Sequence, residues 1–462
     1  MNENTYTSMG NAIGEIKVSQ KTEIPKKIYS KTDGIFAVMY MLLGYGFVRF
    51  FFFYDWSGNF DFVFPFYTCA YIITTISYAR AKDRQIPKES WFWVCVMLCI
   101  ALMFKLERFF CLLIQICIAA YFTGVTGGLY GGGTSAYIIP DIWHITLTAP
   151  FSNFVSVFPA FFSLFKKEKK NEKKQIPPAV WGMAMGIIAL WFIIPLLISA
   201  DSNFLSGTTD FINHLLGSLN IDSFMQTVVA MVLSLPVTCY LYSLAYSYMN
   251  NTKRLFDRQE LDSHRASLRI SPAVTLKVFM YIICAVYLMF IFLQAEYLLG
   301  AFMGRLYGNM TYAQYARTGF FELCKVSVIN LSVLAICNLL IKKEGIKAIK
   351  LPMLVLCVLS LLLLSTATAK MAMYICAYGL TVKRVVSTVF LLWLVAVFVM
   401  CITRLYKPFN LVKTAVITGA VMFCVLISFD IGMESHKFNE KYGFEEKIAI
   451  KEYAVIDSEV KI

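Results

Sequence analysis

Residues Thr311–Asn338 read TYAQYARTGFFELCKVSVINLSVLAICN. The run opens polar and aromatic, turns strongly apolar, and carries Arg317, Glu322 and Lys325 into a segment of membrane-spanning length. A charge at the centre of a bilayer helix costs roughly 2.5–3.5 kcal/mol by insertion scales, so these side chains are expected to face protein or water rather than lipid. A second run, Thr368–Arg384 (TAKMAMYICAYGLTVKR), has the same character between two further apolar blocks. Charged, aromatic segments set inside apolar blocks of this length describe a helical membrane protein.

The rest of the chain agrees. Hydrophobic residues make up 58% of the 462 residues and charged residues 15%, and the mean hydropathy is +0.63, outside the range of ordinary globular chains. The apolar residues gather in blocks of bilayer length. The fold class expected is all-α: a polytopic transmembrane helical bundle of about 11 spans (range roughly 10–12) plus one re-entrant or interfacial segment. The net charge of +13 does not point to nucleic acid, because the basic residues flank apolar blocks on alternate sides, as the positive-inside rule requires. The thirteen cysteines lie in or beside apolar runs, with no C-x-x-C and no His–Cys spacing that suits a metal. They read as small apolar filler.

Along the chain, residues 1–33 form a basic arm expected in the cytoplasm, and no cleavable signal peptide is expected ahead of the first span. Residues 34–430 form the bundle, with basic cytoplasmic loops at 80–90, 166–178, 250–270 and 342–350. Spans are expected at Gly34–Tyr54, with Arg49 near its outer end, and at Phe62–Tyr78. Trp91–Phe104 and Arg108–Gly124 read as a tight hairpin, with one bent helix as the alternative. Further spans are expected at Val180–Ser199, Phe224–Tyr248, Ala273–Leu293, Phe320–Ile341, Pro352–Ala369, Val385–Arg404 and Leu411–Phe429. GGLYGGG (Gly127–Gly133) lacks the spacing of a phosphate-binding loop and reads as a hinge between helices. Pro140–Phe165 is the re-entrant or interfacial piece. The lysine-rich run Lys166–Lys174 anchors topology and is a candidate contact for anionic lipid. Residues 431–462 form a short tail, placed outside the cell.

On this topology Glu296, Arg305, Arg317, Glu322, Lys325, Lys370, Lys383 and Arg384 share the outer half of the membrane. Glu322 and Lys325, three residues apart, face one side of a helix and are expected to be the deepest groups of a polar site. Glu296 can approach Arg317 across a short outer loop. Arg317, Lys325 and Arg384 are the candidate charge partners, with Glu322 as counter-ion; Tyr315, Tyr374, Tyr378 and Lys370 are further candidates for the same site. The competing reading is a set of internal ion pairs that fix helix register. His144 stands three residues after Asp141, too few ligands for a metal, and no Ser–His–Asp arrangement or nucleophile elbow is present. No catalytic residue, cofactor or metal ion is expected, and an enzyme is the least favoured class.

YAQYARTGFFEL (Tyr312–Leu323), followed by KMAMYICAYGLTVKR (Lys370–Arg384), resembles a family of bacterial multipass membrane proteins known as a domain of unknown function, number four-one-seven-three, related to four-one-five-three. The family patterns Y-A-R-x-G-F-F-x-L and Y-x-x-x-Y-G-L-T-x-x-R fall here on Tyr315–Leu323 and Tyr374–Arg384. The resemblance implies a bacterial membrane location and a two-motif core; the family's tail tends to continue as an outer helical segment with an Asn-led motif, of which only Phe438–Tyr442 and a short remainder are left here. It implies no activity, substrate or cofactor.

The function expected is that of an integral membrane protein that binds or translocates a small, anionic solute at the polar outer site. The alternative is a regulatory or scaffold protein that acts through membrane or signalling partners in the cell envelope.

Overall fold

The computed structural model describes residues 29–52, 60–103, 108–165, 221–250, 257–304 and 311–444. The expected span Val180–Ser199, the lysine run Lys166–Lys174, Arg305 and most of the N-terminal arm and C-terminal tail lie outside the described residues. Among the described residues the chain is helical, with nine helices long and apolar enough to cross a membrane.

In the first half, α1 (Lys31–Phe52), α2 (Phe60–Ala81), α3 (Lys88–Met103) and α4 (Arg108–Gly127) run up and down. The hairpin reading of α3 and α4 is the one realised. Gln115 Nε2 donates to Met97 O at 3.2 Å, and Trp93 meets the Tyr121 ring edge-on at 5.2 Å, as antiparallel neighbours would. A broken segment follows, made of α5 (Ile138–Trp143), a π turn (His144–Thr148), α6 (Ala149–Ser152), a 3₁₀ turn (Phe154–Ser156) and α7 (Val157–Ser163). It bends by 52°. Its first turn is tied to the glycine loop, where Tyr130 N donates to Asp141 Oδ1 at 2.8 Å. Its last turn is tied to the start of α1 by Ser163 Oγ donating to Ser30 O at 3.0 Å. Both ends therefore lie at one end of the bundle. Ser243 and Ser247 of α8 (Ile221–Met249) satisfy the Ala149 carbonyl close to the bend.

An amphipathic helix α9 (Arg258–Ser267), capped by Asp257, leads into the second half. There α10 (Ala273–Leu293), α11 (Ala295–Leu299), α12 (Tyr312–Leu340), α13 (Lys350–Tyr378) and α14 (Val382–Tyr406) follow. α13 is the hub, packed on α10, α12 and α14. Two separate buried cores result. One lies among α1–α8 together with Ile427, and the other among α10–α14.

α15 (Leu411–Ser428) joins the halves by packing on both α14 and α3. Its Lys413 Nζ lies 2.9 Å from Glu89 Oε2, and its capping residue Asn410 donates to Thr134 O at 2.9 Å. Glu89 also accepts from Thr134 and from Trp93. A second carboxylate, Asp33, accepts from Tyr78 and Lys82 at 2.7 Å and from Ser30. Neither group figured in the site expected from sequence. The legible signal was a carboxylate in the first turn of an apolar helix. The described basic loops, 80–88, 257–270, 342–350 and 404–413, all lie at this Asp33 end. The chain finishes on α16 (Ile431–Lys441) at the opposite, Arg384 end.

Two helices outrun the spans read from hydropathy. α12 begins at Tyr312 and α13 ends at Tyr378, so the first motif is helical, while the second runs from the end of α13 through a turn at Gly379–Thr381 into α14. Thr311 and Gln314 form a capping box that starts α12 eight residues before the apolar run.

Candidate functional site

Two features of α12 and α13 bring the motifs together. Gly319 lies where the stem of Lys370 crosses α12, and an added Cβ there would stand 2.8 Å from Lys370 Cδ. Tyr315, one turn earlier, lies on the same face. Lys370 is eight residues before the end of α13, about 12 Å along the helix axis.

Lys370 is 1% exposed, and its Nζ has no hydrogen-bond partner. The ammonium instead faces two aromatic rings, with Nζ 3.3 Å from the Tyr297 centroid and 4.5 Å from the Tyr315 centroid. Tyr297 belongs to α11, which lies against α13, and the Tyr315 hydroxyl donates to the Tyr297 carbonyl. Cation–π contacts contribute about 0.5–2 kcal/mol each. Two of them offset part of the roughly 2.5–3.5 kcal/mol cost of the buried charge. Three N–H donors still lack an acceptor.

A second cation lies about two turns further along, at the end of α13. Arg384 Nη1 donates to Tyr378 O at 2.9 Å and to Gly379 O at 2.5 Å, and its Cζ stands 4.1 Å from the Tyr374 centroid and 5.8 Å from that of Tyr378. Arg317 of the first motif also interacts electrostatically with Tyr374. The turn between α13 and α14 is clamped from α16. Asn439 Oδ1 accepts from Leu380 N at 2.7 Å, and its Nδ2 donates to Leu380 O at 2.9 Å. Gly379, at φ +74°, is required there, because a Cβ would lie 2.2 Å from Asn439 Oδ1.

The depth order differs from the expected one. Glu322 and Lys325 are exposed on the outer surface of α12, and Lys370 is the deepest charge. Glu322 is near enough to act electrostatically on Lys370 and Tyr297, but the described residues show no ion pair between Glu322 and Lys325. Arg317, Lys383 and Glu296 are exposed, and Glu296 makes no ion pair with Arg317 among the described residues. Tyr315 and Tyr374 are buried and Tyr378 half-buried. Lys370, Tyr315, Tyr374, Tyr378 and Arg384 therefore form one column along α12 and α13, Glu322 and Arg317 act on it electrostatically from the exposed side of α12, and Lys325 and Glu296 stand outside it. Tyr297 and Gly319 complete the column. Tyr297 was not singled out in the sequence and Gly319 stood there only as a fixed position of the first motif, because only the tertiary contact with Lys370 gives either its role.

Arg49 sits on α1, in the other half of the bundle from Glu322, with its Nη1 buried and without a hydrogen-bond partner. Among the described residues no three His, Cys, Asp or Glu side chains stand together as a metal site. Comparison with curated proteins found no match, and comparison with solved structures found none. A family match does cover residues 92–433, from the start of α3 to the first turn of α16 and across both motifs. The family is the second of the two named above. The chain belongs to the family described as Domain of unknown function (DUF4153).

Proposed function

We propose that the column around Lys370 binds a small anion, a carboxylate or phosphate-bearing solute, within the outer half of the membrane. One observation carries this reading: a fully buried ammonium on a membrane helix with no hydrogen-bond acceptor, under a tyrosine lid contributed by the short helix α11. An unmet buried donor costs free energy that an arriving anion would recover. The nearby charges favour the same sign, since Arg317, Lys383 and Arg384 outnumber Glu322. The gathering of basic loops at the Asp33 end supports the column's placement away from the cytoplasm. Entry requires Tyr297 to move off Nζ. Glu322 is the counter-ion when the site is empty.

A second reading rests on a different observation. Glu322 and Lys325 are exposed at membrane depth on α12, where lipid would oppose them. A partner membrane helix with complementary polar groups would cover them, as the scaffold or signalling reading requires.

The test is ligand-dependent stability of the purified full chain with phosphate, sulfate and short carboxylates as probes, followed by flux of any stabilising anion in proteoliposomes. A ligand at a hundred times its dissociation constant stabilises by about 2.7 kcal/mol, which a melting curve resolves. Stabilisation that disappears in Lys370→Met supports the anion site. An equal response in Lys370→Met refutes it. Co-purification of a membrane protein that depends on Glu322 and Lys325, without any anion response, favours the second reading.

A further inference from the structure

A cavity of about 720 Å³ opens between α14, α15 and α16 at the Arg384 end, apart from the Lys370 column. Its walls are apolar, formed chiefly by Val385 and Val389 of α14, Val421 and Val425 of α15, and Phe438 of α16. Val421 and Val425 are also 46% and 53% exposed on the bundle surface, so the cavity opens sideways where hydrocarbon would lie. A hydrophobic cleft of roughly 300–1,000 Å³ is of ligand size.

Polar groups mark one end only. Ser435 lines the cavity and is 6% exposed, and its Oγ has no hydrogen-bond partner. Lys437 and Lys441 stand on the rim one turn apart. Lys437 pairs with Glu434 at 2.9 Å, whereas Lys441 meets no carboxylate among the described residues. α16 thus turns Ile431, Ser435 and Phe438 inward and its lysines outward, the layout of a helix lying in the membrane interface.

We infer that this crevice holds one acyl chain of an anionic glycerophospholipid. Ser435 Oγ donates to an ester or phosphate oxygen, and Lys437 and Lys441 face the headgroup. The chain enters laterally from the bilayer. Leu380 lines the same cavity, and its backbone is gripped by Asn439, so a bound lipid also braces the turn that carries Arg384.

The test places the full chain in nanodiscs containing phosphatidylglycerol or phosphatidylcholine with a photoactivatable group on the acyl chain, and maps the labelled residues. Labels are expected to concentrate on α14, α15 and α16 around Val389 and Val425, with phosphatidylglycerol preferred. Val389→Trp with Val425→Trp, which fills the space, should abolish that labelling and leave α10 labelled as before. Lys437→Gln with Lys441→Gln, both exposed on the surface, should cut the preference for phosphatidylglycerol by on the order of fivefold per lysine. Labels spread evenly over all lipid-facing helices overturn the proposal. So does crevice labelling equal for the two lipids, or a crosslink through these residues to a second copy of the chain.

Discussion

Gly319 and Lys370 fit one another as space and occupant. A Cβ on Gly319 would stand 3.3 Å from Lys370 Nζ and 2.8 Å from Cδ. The glycine of the first motif is therefore the room that the first lysine of the second motif fills. Around that contact lie Tyr315, on the same face of α12, and Tyr297, brought over by α11. The two motifs, some fifty residues apart in the chain, are two sides of one buried charge.

Gly319→Ala is expected to push the Lys370 stem aside and to destabilise the purified protein by about 1–3 kcal/mol, the usual range for overpacking. Paired with Lys370→Ala the penalty should largely vanish, since the added methyl then enters empty space. Thermal unfolding of the two single variants and the double variant measures this coupling, expected at about 0.5–3 kcal/mol.

Lys370→Met removes a buried charge without an acceptor and keeps the volume, so the protein should unfold at an equal or higher temperature. Tyr297→Ala leaves the ammonium in place without its nearer ring and should lower stability by about 1–2 kcal/mol or more. Opposite signs in the same unfolding assay are the expected result. Destabilisation by Lys370→Met would mean that the charge is matched within the bundle.

Asn439→Ala removes two hydrogen bonds to the Leu380 backbone, with an expected loss of about 1–3 kcal/mol locally. α16 should then detach, and limited proteolysis near Tyr442, which is 54% exposed, should accelerate. Gly379→Ala should release α16 more severely, because it adds left-handed backbone strain to the clash with Asn439.

Lys413→Met leaves Glu89, whose side chain is 3% exposed, without its cation. The expected cost is about 1–3 kcal/mol, below that of a fully buried pair because Lys413 is itself 41% exposed. Adding Glu89→Gln should restore most of the stability. Crosslinking between α3 and α15 in the single variant would show whether this pair joins the two halves.

The sequence by itself determined that this is a helical membrane bundle and where most spans lie, because hydropathy over some twenty residues is a local property of the chain. The motifs Tyr315–Leu323 and Tyr374–Arg384 pointed to two related families, of which the match over residues 92–433 shows the second, and the prolines of Pro140–Phe165 marked a piece that is not one straight span. Only the tertiary structure decided which charge is buried. In lipid a helix is apolar all round, so no stripe of hydrophobic residues tells which face meets protein. Glu322 and Lys325 therefore read as the centre of the site, although their face of α12 points outward. Lys370 became the centre because Gly319 leaves it room and Tyr297 arrives from a short helix that no periodicity foretold.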